Sequence, residues 1–135
     1  MVTLIDDGYL VTLLSGGSVP TAQPLATTYH WWWRLSSAVR RPRDGALSGP
    51  FEVDDEGERA MLIAAIDDLP ALVEIGNPVD LLPVAADLAT EHGLNALAAE
   101  ALAAALVVDG EILVRTDNPR LRAAAGRLTI VYRTD

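Results

Sequence analysis

Residues 2–10 run Val2-Thr3-Leu4-Ile5-Asp6-Asp7-Gly8-Tyr9-Leu10 and carry three local signals in succession. The β-prone residues 2–5 predict a short strand, which stops at the acidic turn of residues 6–8. Apolar residues at positions 9, 10, 13 and 14 then recur at helical spacing. The chain therefore opens with a strand, an acidic turn and a helix.

The same alternation continues along the chain. After a loop rich in glycine and proline, Thr27 or Thr28 can cap a helix that runs to about Val39. Residues 45–57 look like a long connection. Further helices are predicted over 58–69, 79–91, 94–108 and 119–125, and further strands over 73–75, 112–114 and 128–132.

Strands that alternate with helices across short connections predict a mostly parallel sheet covered on both faces, because parallel neighbours need crossover connections. In such α/β sheets, functional sites form beyond the carboxyl ends of the strands. Asp6 and Asp117 directly follow the first and third predicted strands. We therefore expect both carboxylates to open onto one crevice.

Composition excludes several function classes. The 135 residues have the usual size of one domain, so we expect a single domain over 1–135. The absence of cysteine excludes thiolate chemistry, and the absence of lysine excludes a Walker-type phosphate loop and a Schiff base. No apolar run reaches the roughly 20 residues that a bilayer requires, and the N-terminus lacks a basic region, which predicts a cytoplasmic protein without membrane contact.

Short segments resemble the PIN-domain nucleases. Leu4-Ile5-Asp6-Asp7-Gly8-Tyr9-Leu10 is similar to the family's opening strand, acid and following leucine. Glu100-Ala101-Leu102 stands where the family has Asp-Ala-Leu at a helix start, and Ile112-Leu113-Val114-Arg115-Thr116-Asp117 resembles its strand ending in Thr-x-Asp. Residues 128–132 match its closing strand. The resemblance covers nearly the whole chain in order and length.

This resemblance implies a three-layer α/β/α PIN-like fold with a central, mostly parallel sheet. It also implies Mg²⁺- or Mn²⁺-dependent hydrolysis of RNA phosphodiester bonds, as in the VapC-type toxins of toxin–antitoxin pairs. Asp6, Glu100 and Asp117 are then the catalytic metal ligands. RNA would be the substrate, and an antitoxin protein a partner.

The resemblance fails at the family's second acid. That residue should fall within Tyr29-His30-Trp31-Trp32-Trp33-Arg34-Leu35, which contains no carboxylate. Three acids stand where the family commonly has four. Glu at position 100 also has a longer side chain than Asp, and Arg115 replaces the usual threonine.

Each acid also has an alternative interpretation. Asp6 and Asp117 can serve as helix N-caps, and Asp7 is a local rival of Asp6. Glu100 lies on an apolar helical face, so its carboxylate needs a metal ion or another partner. An ion pair with an arginine, or a solvated helix edge, are the alternatives to a metal. Asn95 could add a polar contact near the crevice.

The tryptophan run predicts two different environments. Trp31 and Trp32 align with apolar residues of the same helix, which predicts core packing, whereas Trp33 falls on the polar side. An exposed Trp33 could be a subunit contact, an antitoxin groove or a base-stacking platform, or it could pack under the 45–57 connection. A basic patch nearby could contact RNA or a partner, or simply be a solvated helix end. The patch comprises Arg34, Arg40, Arg41 and Arg43.

Two functions follow from these observations. The first is a metal-dependent ribonuclease that uses Asp6, Glu100 and Asp117. The second is a PIN-like binding or assembly module that has lost catalysis, as the missing second acid suggests. A refilled site, with Asp7 or Asp44 as the fourth acid, is a further alternative. We expect a homodimer in each case, because a surplus of aromatic and alanine-rich surface on a small domain favours self-association.

Overall fold

The computed structural model describes residues 1–41 and 55–135. The strands are β1 (Thr3–Ile5), β2 (Leu25–Thr27), β3 (Glu74–Ile75), β4 (Glu111–Leu113) and β5 (Tyr132–Arg133). The α-helices are α1 (Asp7–Leu14), α2 (Tyr29–Arg40), α3 (Glu56–Asp67), α4 (Pro78–His92), α5 (Ala96–Val108) and α6 (Pro119–Arg127). A short 3₁₀ helix, Leu69–Ala71, follows α3.

The five strands form one parallel sheet in the order β3-β2-β1-β4-β5. β1 is the central strand, and all three of its residues are buried, which requires cover on both faces of the sheet. Helices α1, α2 and α3 contact one another, and α5 contacts both α4 and α6. The predicted mixed α/β architecture with a parallel sheet is confirmed.

The helix α5 is the most buried helix of the described chain. Every residue over 98–105 is buried, and the helix contacts β1, β4, α2, α4 and α6. Alanine dominates this stretch, and its small side chain lets neighbouring elements approach closely. Glu100 is the one charged residue within it. Burial in such surroundings makes a polar partner for this carboxylate necessary.

Asparagine, aspartate and threonine side chains cap the N-termini of the helices. Thr28 accepts a hydrogen bond from the Trp31 amide at the start of α2. Asn95 and Asn118 accept the Ala98 and Leu121 amides at the starts of α5 and α6. Each cap satisfies an amide that the helix itself leaves without a partner. These caps fix the loops that surround the carboxyl ends of the strands.

The prediction missed one strand and misplaced another. β2 was not predicted, because residues 25–27 follow two prolines and lead directly into the cap of α2. The last strand was placed at 128–132 but lies at Tyr132–Arg133. Leu128 caps the C-terminus of α6, and Thr129 has a positive φ of 58°, which lies outside the β region.

The connection predicted over 45–57 lies mostly outside the described residues. Its last part differs from the prediction, because Asp55 caps α3 and accepts the Gly57 amide. Within the described chain, no single helix combines the length and hydropathy of a membrane span, although α4 and α5 pass that test together with a bend of 118° between them.

Candidate functional site

A cavity of about 240 Å³ lies beyond the carboxyl ends of β1 and β4. We call it the acid cavity. Its lining comprises Asp6, Trp31, Arg34, Asn95, Leu97, Val114, Thr116, Asp117, Asn118 and Pro119. The expectation that Asp6 and Asp117 open onto one crevice is confirmed, and Asn95 also lines this cavity. Glu100 is not among the lining residues.

Asp6 is buried, with 1% of its surface exposed, and both of its carboxylate oxygens accept hydrogen bonds. Oδ1 accepts the Tyr9 amide at 3.0 Å, so Asp6 is the N-cap of α1. Oδ2 accepts the Arg115 amide at 3.1 Å and the Thr116 amide at 3.4 Å. Burial raises the pKa of Asp6 from its ordinary value of 3.8 to about 6, although these amides lower it.

Asp117 lies at the exposed rim of the acid cavity. Its Oδ1 accepts the Tyr132 hydroxyl at 2.9 Å and lies 3.1 Å from Nη2 of Arg122. Burial raises the pKa of Tyr132 to about 12, so this phenol remains a donor. Asn118, rather than Asp117, caps α6. The Asp117 carboxylate is therefore held by a phenol and a guanidinium group.

Glu100 contacts the start of α2. Its Oε1 accepts the backbone amide of His30 at 3.1 Å, and its Oε2 lies 3.0 Å from His30 Nδ1. The carboxylate, buried to 7% exposure, thus satisfies one of the free amides at the N-terminus of α2. Its partner is a histidine, not the arginine or the solvent that the sequence left as alternatives.

Asp7 and Arg34 connect α1 with α2. The Asp7 side chain is fully buried, and its Oδ2 lies 3.6 Å from Nε of Arg34. Arg34 also lines the acid cavity, whereas Asp7 is absent from the lining. Asp7 does not take the place of a missing acid there. Asp44, the other residue considered for that place, lies outside the described residues.

The segment that lacks the family's second acid contributes two side chains to the acid cavity. Trp31, which is 2% exposed, and Arg34 both line it. Where the resemblance implies an additional carboxylate, this segment supplies an indole ring and a guanidinium group. The segment therefore adds a guanidinium group to the cavity lining, and the charge of this group is shared with the Asp7 carboxylate behind it.

Among the described residues of the predicted basic patch, Arg34 and Arg40 form ion pairs with carboxylates. Arg34 pairs with Asp7, whereas Arg40 pairs with Asp67 through two hydrogen bonds of 2.8 and 2.9 Å. Arg41 is exposed, and Arg43 lies outside the described residues. Arg34 and Arg40 each pair with a carboxylate on a different element, and a contact of the basic patch with RNA or a partner stays a prediction.

The tryptophans follow their predicted environments. Trp31 belongs to the core, and Trp32 is half-buried with its indole N–H donating to the Ile66 carbonyl of α3 at 2.9 Å. Trp33 is 54% exposed. A contact made by Trp33 stays a prediction.

Gly8 is a site residue that the sequence did not single out. A Cβ at Gly8 would lie 2.8 Å from Cβ of Arg115 and 3.4 Å from Oδ1 of Asp6. The absent side chain lets the residues after β4 approach the acidic turn. In the sequence, the only sign of this role was the position of Gly8 directly after two aspartates. The requirement for glycine follows from the pairing of β1 with β4, which brings Arg115 close to the acidic turn.

The side chains of the acid cavity do not provide the ligand set that a divalent cation requires. Mg²⁺ and Mn²⁺ require several oxygen ligands and a surplus of negative charge. Over residues 1–41 and 55–135, no group of three or more Asp, Glu or His side chains is arranged to hold an ion. Asp6 accepts three amides, Asp117 pairs with Arg122, and Glu100 contacts His30. As arranged, these residues do not fit such an ion.

Comparisons with known proteins support the fold. No family model matches the chain, and no curated protein matches it. A similar solved structure is VapBC-1 from nontypeable Haemophilus influenzae, with 12% identity and a TM-score of 0.59. The match covers 98% of this chain and 96% of that one. At this identity the likeness shows the fold alone, which is the predicted three-layer α/β/α PIN-like fold.

Proposed function

We propose that this chain is a PIN-like binding module whose acid cavity does not support metal-dependent catalysis. The observation that carries the proposal is the pairing of every predicted metal ligand inside the protein. Asp6 is held by backbone amides, Asp117 by Arg122 and Tyr132, and Glu100 by His30. A cation would have to displace partners that the fold itself supplies.

The charge of the acid cavity supports the same proposal. Its lining contains two carboxylates and the guanidinium group of Arg34, and Arg122 pairs with one of those carboxylates. A carboxylate site that already contains cationic side chains attracts a divalent ion only weakly, because like charges repel and the carboxylates are partly neutralised.

The partner that we propose is another protein. A similar solved structure is that of VapBC-1, which makes an antitoxin-like protein one candidate, and a second copy of this chain is the other. Trp33 is the proposed contact residue, since it is a large aromatic side chain with 54% of its surface exposed. Tryptophan is among the residues that contribute most to protein interfaces.

A metal-dependent ribonuclease, with Mg²⁺ or Mn²⁺ as cofactor and RNA as substrate, is the second candidate. One observation favours it: Asp6 and Asp117 share a cavity, and burial raises the pKa of Asp6 to about 6. Strongly shifted acids in clefts are enriched at catalytic sites.

The two candidates differ in RNA cleavage. A mixed structured RNA is incubated with the purified protein in Mn²⁺, in Mg²⁺ and in chelator, beside the Asp6→Asn and Asp117→Asn variants. The binding-module proposal predicts no cleavage that depends on metal. Metal-dependent cleavage that both substitutions abolish would establish the ribonuclease instead.

A further inference from the structure

A second cleft, of about 460 Å³, lies where the end of α4 meets α6. We call it the arginine cleft. Its lining comprises His92, Gly93, Pro119, Arg120, Ala123 and Arg127. Pro119 also lines the acid cavity, so the two depressions are neighbours. The arginine cleft contains no carboxylate in its lining, in contrast to the acid cavity.

The two guanidinium groups of this cleft have no acidic partner in the described chain. Arg120 and Arg127 are seven positions apart on α6, which places them on one side of the helix. Ion pairs join other arginines of the described chain to carboxylates, but none involves these two. Arg120 donates to the Gly93 carbonyl at 3.5 Å, which is a long hydrogen bond.

His92 also lines the arginine cleft. Nη1 of Arg127 lies 3.4 Å from Nδ1 of His92, and because a guanidinium group can only donate, Nδ1 is the acceptor. In the neutral ring, the proton then resides on Nε2. That atom is buried and has no hydrogen-bond partner among the described residues. A buried donor without an acceptor is costly, so the cluster lacks an acceptor.

We propose that the arginine cleft binds a phosphate dianion, either free or at the end of a larger molecule. A phosphomonoester has a charge of about −1.5 to −2 near neutral pH and three strong acceptor oxygens. The two exposed guanidinium groups match both properties, since together they supply two positive charges and several donors. A carboxylate has one negative charge and would neutralise only one of the two arginines. This site does not depend on the function proposed for the acid cavity.

The alternative to anion binding is that these residues only stabilise the ends of helices. His92 ends α4, and the guanidinium group of Arg120, at the start of α6, contacts the Gly93 carbonyl just beyond it. Arg127 ends α6, and positive side chains at helix C-termini offset the helix dipole. Under that role, no anion would bind specifically. A binding measurement therefore separates the two roles.

Calorimetric titration of the intact chain with inorganic phosphate, at constant ionic strength, tests the proposal. We expect one saturable site, weakened roughly tenfold by Arg120→Gln or by Arg127→Gln and lost in the double variant. Both side chains are exposed, and circular dichroism would verify that each variant folds. Arg40→Gln is the matched control, since it removes the same charge from an exposed arginine elsewhere and should leave the affinity within about twofold.

The source of the phosphate is tested with short oligoribonucleotides that carry either a 5′-phosphate or a 5′-hydroxyl. Preference for the 5′-phosphate would assign the site to the end of a larger molecule, whereas binding of inorganic phosphate alone would assign it to the free ion. The proposal is overturned if phosphate shows no saturable binding, if Arg40→Gln weakens binding as much, or if a polyglutamate peptide competes as well as phosphate.

Discussion

The Nε atom of Arg34 lies 3.6 Å from Oδ2 of Asp7, which pairs a guanidinium group of α2 with a carboxylate of α1 at the edge of the acid cavity. The Asp7 side chain is fully buried, and 26% of the Arg34 side chain is exposed. Removing one member of a buried ion pair leaves the other charge without compensation, which costs more than the pair itself contributes.

Arg34→Ala is therefore expected to lower the free energy of unfolding by about 2–3 kcal/mol, as measured by urea denaturation. Arg40→Ala is the matched control, because it breaks an exposed pair with Asp67 and should cost less than about 1 kcal/mol. Equal losses in the two variants would show that Arg34 has no special electrostatic role.

Glu100→Ala should destabilise the protein by about 2 kcal/mol, because it leaves the His30 amide and ring without their buried acceptor. Glu100→Gln should lose less, since its amide oxygen can still accept the His30 amide. Both values come from urea denaturation in the presence of chelator. A rise in stability on losing Glu100, as expected of a carboxylate held only for a metal ion, would contradict the structural role.

The raised pKa of Asp6 makes its contribution to the free energy of unfolding decrease as pH rises, which is the opposite of the usual effect of an aspartate. Its pKa in the folded protein is about 6, above the ordinary 3.8, so the folded state binds more protons between these values. The contribution of Asp6 to the free energy of unfolding is greatest below pH 3.8 and declines as pH rises through 6, by about 3 kcal/mol in total.

Urea denaturation from pH 4 to 7 measures this effect as the difference between the wild type and Asp6→Asn, which cancels the titration of the other groups. The stability of the wild type relative to the variant should fall over that interval. A difference that stays constant with pH would mean that the pKa of Asp6 is not raised. Carbon-13 NMR of the Asp6 carboxyl group provides an independent measure.

Trp31 and Trp33 belong to the same tryptophan run, but their substitution by alanine should change the free energy of unfolding by very different amounts. Trp31 is 2% exposed, so Trp31→Ala should cost about 3–5 kcal/mol of stability by leaving a cavity. Trp33 is 54% exposed, so Trp33→Ala should change stability by less than about 0.5 kcal/mol.

Sedimentation velocity should show a homodimer for the wild type, and Trp33→Ala should weaken this dimer. A wild-type monomer at micromolar concentration would contradict self-association.

Local patterns were sufficient for much of the fold. The β-prone run before Asp6 and the apolar periodicity of the helices predicted elements that the structure contains. β2 was not predicted, because the three residues between Pro24 and Thr28 are too few for a sequence pattern to distinguish a strand from a loop. Its pairing with β1 and β3, which are distant in sequence, makes it a strand.

The candidate site was predictable only in part. Asp6 and Asp117 could be placed together because both follow strands of one parallel sheet. The partner of Glu100 could not be predicted, since His30 lies 70 positions away and the contact depends on how α5 packs against α2. The position of Arg34 in the cavity lining likewise depends on how the helices pack, which the periodicity of the sequence does not specify.

Calorimetric titration of the purified protein with Mn²⁺ tests most directly the claim that the acid cavity is neutralised by the chain's own groups. The Asp6→Asn and Asp117→Asn variants are titrated beside the wild type. The structure predicts no saturable binding at micromolar Mn²⁺ in any of the three. One saturable site in the wild type that is lost in both variants would contradict the account and restore the metal-dependent ribonuclease.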